Sequence, residues 1–90
     1  MRKFVIERNV QGAAKWSEKE RQEVAQKSNA VLHDLGPDVI WQQSYVVDDK
    51  IYCVYLAKDK NLVLEHAKKS GFPADRVSEV HFLLDPSSAQ

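Results

Sequence analysis

From Lys3 to Val10 the chain is rich in β-branched and aromatic residues and ends at the turn pair Gln11-Gly12, so the pattern predicts a first strand. Ser17-Glu18-Lys19-Glu20 has the spacing of a capping box, in which serine hydroxyl and glutamate carboxylate satisfy free amides at a helix start. Val24, Ser28, Val31, Leu32 and Leu35 then recur on one helical face, with Glu18, Lys19, Arg21, Gln22, Gln26 and Lys27 mostly elsewhere. Gly36-Pro37 ends that helix, because proline cannot continue the hydrogen-bond ladder. Val39 to Val47 and Lys50 to Ala57 read as two strands joined through Asp48-Asp49 as a hairpin. Asp59 offers the N-cap of a second helix, whose Leu62, Val63, His66, Ala67 and Ser70 share a face and which Gly71 and Pro73 close. A last strand is predicted over Val77 to Leu84, closed by Asp85-Pro86.

The order strand, helix, strand, strand, helix, strand is that of an α+β ferredoxin-like βαββαβ sandwich, an antiparallel sheet with two helices on one face. It predicts one domain over residues 1–86 and a frayed tail over 87–90. The second face of the sheet is left open, and 90 residues build only a thin core. A homodimer that covers the open face, in the manner of dimeric α/β-barrels, is therefore expected.

A pairing of Val47 with Lys50 sets the hairpin register, and residues directly opposite share a face. It places Tyr45, Gln43 and Trp41 with Tyr52, Val54 and Leu56 on one face, and Val46, Ser44 and Gln42 with Ile51, Cys53 and Tyr55 on the other. The more apolar Val80, Phe82 and Leu84 are expected to face the helices, as are Phe4 and Ile6, leaving Glu79, His81 and Leu83 outside with Val5 and Glu7. The open face then holds Glu7, Gln42, Ser44, Cys53, Tyr55, Glu79 and His81, with Glu7, Cys53, Glu79 and His81 toward one end. Carboxylate, thiolate and imidazole together are metal-ligand chemistry, and the last two favour late first-row ions such as nickel, zinc or copper. The plainer account makes Cys53 a small buried hydrophobe and the charged groups a solvated face. His33 lies where an imidazolium favours a helix C-terminus, and His66 lies on the mostly apolar face of the second helix, as a half-buried hydrogen-bonded residue or a ligand.

Thirteen basic and thirteen acidic side chains cancel, which leaves no overall electrostatic footprint for nucleic acid or an anionic membrane. Cys53 is the one cysteine, so no internal disulfide forms and a reducing, cytoplasmic setting is expected. The N-terminus lacks the apolar run of a signal peptide or membrane span. Lys50-Ile51-Tyr52-Cys53-Val54-Tyr55 faintly resembles an RNA-recognition strand, yet lacks its glycine and has Val54 where an aromatic belongs. Val10-Gln11-Gly12 resembles part of the acylphosphatase loop, without the arginine that follows it or an asparagine to place a water. No nucleophile, base and acid set is apparent, so catalysis is not the expected function.

Ser44-Tyr45-Val46, Asp49-Lys50-Ile51-Tyr52-Cys53-Val54-Tyr55, Glu65-His66-Ala67, Gly71-Phe72-Pro73-Ala74 and Val77-Ser78-Glu79-Val80 together resemble a bacterial family of small proteins, a domain of unknown function with a nickel-binding member. The resemblance runs from Phe4 to Pro86. It implies a ferredoxin-like homodimer that binds nickel at or near its surface, for sequestration, and Cys53, Glu65 and His66 match the recurring pattern.

The sequence thus leads to a nickel-binding or other divalent transition-metal protein with His66, Cys53, Glu7, Glu79 and His81 as candidate ligands. The alternatives are a dimeric α/β-barrel enzyme or small-molecule binder, whose pocket on the open face is lined by Gln42, Ser44, Tyr55 and Cys53, and a plain interaction module.

Overall fold

The computed structural model describes all 90 residues, Met1–Gln90. Strand β1 (Arg2–Asn9) leads through a 3-10 turn at Ala13–Lys15 into helix α1 (Glu18–Leu35). Strands β2 (Val39–Val46) and β3 (Lys50–Ala57) form the hairpin, followed by helix α2 (Lys60–Ser70) and strand β4 (Arg76–Val80). The sheet order is β2-β3-β1-β4, all neighbours antiparallel, which is the α+β ferredoxin-like arrangement.

The expected helix ends are present as hydrogen bonds. Ser17 and Glu20 form the capping box of α1, Asp59 accepts from the Leu62 amide at the start of α2, and Gly71 closes α2 in the left-handed conformation. The core lies between helices and sheet and is built from Phe4, Ile6, Val39, Ile51, Tyr55 and Val63, with smaller residues between them. Phe4 and Ile6 face inward as expected, and β1 continues the alternation one step further, to a buried Arg8.

Two expectations about the sheet are corrected. β4 ends at Val80, eight residues after Phe72 begins the loop, and Phe82, Leu83 and Leu84 lie beyond it at 78%, 78% and 76% exposure. They have no strand partner, so nothing turns Phe82 and Leu84 toward the helices. Asp85 instead caps a 3-10 turn over Pro86–Ala89. The β2–β3 register matches the expected one from Val46 to Gln43, but an irregularity between Trp41 and Gln43 then pairs Trp41 with Tyr55 and Ile40 with Leu56. Trp41 and Gln42 therefore lose the expected partners Leu56 and Tyr55.

The face assignment of the hairpin is the larger correction. Phe4 pairs with Tyr55 and Ile6 with Cys53, so these two residues of β3, and Ser44 opposite Cys53, share the helix side with β1's apolar residues. Phe4 also pairs with Glu79 and Lys3 with Val80, which puts Glu79 on the helix side and Val80 on the open side. The open face carries Val5, Glu7, Tyr45, Tyr52, Val54 and Leu56. The cause is β3 itself: Ile51, Cys53, Tyr55 and Ala57 alternate with Tyr52, Val54 and Leu56, and both sets are apolar.

Candidate functional site

The inward alternation of β1 places a charged side chain where an apolar one would ordinarily complete the core. Arg8 is 3% exposed. Its Nε donates to Cys53 Sγ at 3.4 Å, one terminal nitrogen donates to the Pro73 carbonyl, and the other lies 3.5 Å from the Tyr55 hydroxyl. Each contact follows from register, since Arg8 pairs with Ile51 and its long side chain runs back along β3 over Cys53 and Tyr55.

The surroundings of Arg8 join both helices. His66 of α2 is fully enclosed, its ring centroid is 5.1 Å from that of Tyr55, and its Nε2 is 3.1 Å from Ser28 Oγ of α1. Burial first, and the positive charge of Arg8 second, hold the imidazole at a pKa of about 4, so it is neutral at neutral pH. His66 Nδ1 has no hydrogen-bond partner. Burial likewise pushes the Tyr55 phenol above its ordinary value, with Arg8 opposing.

Beside Arg8 a cavity of about 250 Å³ separates α1 from the sheet. Val24 and Ala25 of α1 form its roof, Trp41 and Ile51 its sheet side, and the exposed Arg21 and Val46 lie at its rim. Ser28, Ser44, Cys53 and Tyr55 add polar atoms to an otherwise apolar lining. Trp41 Nε1 donates to Ser44 Oγ at 2.9 Å, which fixes the indole against this wall.

The expected metal ligands are not gathered. Cys53 and His66 are enclosed on the helix side next to a guanidinium, whose charge repels a cation. Glu7, on the open side, accepts from Lys50 at 2.8 Å, and this contact raises the Lys50 pKa. Glu79 accepts from Arg2 at 2.7 Å, opposite Phe4 and away from Glu7, which pairs with Arg76. His81 is exposed beyond the last strand, and Glu65 is exposed on α2 against Lys69. No three His, Cys, Asp or Glu side chains lie together in a group able to hold a metal ion. Of the open-face pocket set, Ser44, Tyr55 and Cys53 line the cavity on the helix side instead, and Gln42 sits at the strand irregularity, exposed and outside it.

The residues that sequence reasoning passed over are Arg8, Ser28 and Trp41, together with Phe72, which also lines the cavity. One signal marked the first of them: Phe4, Ile6 and Arg8 alternate on one face, so a strand facing the helices carries a cation.

The fold and this interior site define a small ferredoxin-like protein with a helix-side cavity. Residues 4–80 match the model of the family described as nickel responsive protein SCO4226-like, and the chain belongs to that family. Among solved structures, the chain is similar to SCO4226 from Streptomyces coelicolor A3(2), with a TM-score of 0.75 and 20% identity, over 91% of this chain and 99% of that one. No curated protein sequence matches the chain. No helix is long and apolar enough to cross a membrane.

Proposed function

We propose that the chain is a nickel-binding protein that works as a homodimer, taking up the metal at its surface. Membership of a family described as nickel responsive, over residues 4–80, carries this reading. The open face supports the dimer: Val5, Ile40, Tyr45, Tyr52, Val54 and Leu56 lie on it with no helix above them, and Tyr45 and Ile40 are 57% and 44% exposed. Since the interior thiol and imidazole sit beside Arg8, the ligand proposed for nickel is the exposed His81, with the coordination completed by a second copy.

Light scattering and isothermal titration with nickel chloride test the two parts separately. A dimer that Val54→Lys converts to monomer supports the interface, and a monomeric wild type overturns it. Saturable nickel binding lost in His81→Ala and retained in His66→Ala supports the surface site. A flat titration of the wild-type dimer overturns it.

A further inference from the structure

The cavity between α1 and the sheet is lined by two arginines and no carboxylate. The ion pairs of the chain are Arg2 with Glu79, Lys50 with Glu7 and Lys69 with Glu65, so Arg8 has no acidic partner. A guanidinium carries five N–H donors. Here three are matched, by a sulfur, a backbone carbonyl and a phenol at long range, none of them a carboxylate. Taking a cation out of water is costly unless an anion compensates it. The chain supplies none at this place, while the same guanidinium borders a cavity that reaches solvent past Arg21 and Val46.

We propose that this cavity binds a small organic acid, its carboxylate on the free donors of Arg8 and its apolar body against Val24, Ala25, Trp41 and Ile51. The volume suits that class. About 150 Å³ of dry cavity already admits benzene, and the roughly 250 Å³ here leaves room for a ring or a short chain that carries a carboxylate. The hydroxyls of Ser28, Ser44 and Tyr55 provide orienting contacts around the acid group. Arg21 at the mouth adds a second positive charge that favours entry of an anion. A divalent cation is excluded by the same two charges, so this site is independent of the proposed nickel uptake at the surface.

Trp16 and Trp41 both line the cavity and report its occupancy by fluorescence. Wild-type protein is titrated with phenylacetate and octanoate, and with phenylacetamide and octanamide as neutral analogues of the same shape. The expected result is saturable binding of at least one acid in the millimolar range or tighter, about tenfold or more stronger than its amide. Arg8→Met removes the preference for the acid. Ala25→Phe, which fills the roof while leaving Arg8 in place, abolishes binding of acid and amide alike and keeps a cooperative melt, so the proposal stays testable where Arg8→Met fails to fold. Amides that bind as tightly as the acids overturn the proposal, as do flat titrations with both acids, or binding unaffected by Ala25→Phe. None of these outcomes depends on nickel.

Discussion

Ser28 Oγ lies 3.1 Å from His66 Nε2 and ties the middle of α1 to α2 across the core. The other ring nitrogen, Nδ1, is enclosed without a partner. Charging this ring would place an imidazolium beside Arg8 in a site that provides it with no anion. The histidine therefore acts as a neutral spacer between the helices.

Acid should weaken the fold through His66. Its folded pKa is lowered from 6.5 to about 4, so the unfolded chain binds the proton first as pH falls. Stability is present above pH 6.5, is lost between there and about pH 4, and does not change further through this group below that. Between about pH 7 and 5 the loss is on the order of 2 kcal/mol. Urea unfolding of wild type and His66→Leu at both pH values checks this: the wild type should lose that much more than the variant, and parallel losses would refute it.

Both helix starts rest on side-chain acceptors. Ser17 Oγ accepts from the Glu20 amide at 3.1 Å, and Asp59 Oδ1 accepts from the Leu62 amide at the same distance. Ser17→Ala and Asp59→Ala should each cost about 1 kcal/mol in urea unfolding. The two should add, because they cap different helices. Losses below the error of the measurement would show that the caps are replaced by water.

Gly71 closes α2 at φ +76°, and a Cβ there meets no atom nearer than Lys27 Nζ at 3.8 Å. The cost of Gly71→Ala is then conformational, since space is available, and about 1–2 kcal/mol is expected for a left-handed L-residue. Thermal unfolding of the variant against wild type measures it. An unchanged midpoint would show that the helix end relaxes to another geometry.

Cys53 should be slow to modify. It is 5% exposed at the floor of the cavity beneath Arg8, so a reagent larger than that cavity reaches it only when the sheet and α1 separate. An aromatic disulfide reagent is expected to react many times faster in denaturing urea than in buffer. Equal rates would mean that the cavity admits the reagent directly.

The chain's local patterns were enough for the number, type and succession of the main elements, though not for the end of the last strand. Capping residues, Gly36, Gly71 and the Asp48-Asp49 loop act over a few residues, so their consequences are written in adjacent positions. The belonging to a family was legible in the same way, from short stretches taken together. The inward face of β1 was also legible, because Phe4 and Ile6 alternate with more polar neighbours.

Only the tertiary structure decided which face of the hairpin is inside. Both faces of β3 are apolar, and its choice is made by pairing with β1 across a sequence separation that no local pattern spans. That choice moved Ser44, Cys53 and Tyr55 from an open surface into the interior and gathered them around Arg8. β4 stops at Val80 for a related reason: its partner β1 begins at Arg2, and the apolar run after Val80 has no strand left to pair with. Periodicity states which residues belong together on a face, whereas long-range pairing states what that face meets, and the cavity beside Arg8 exists only at the second level.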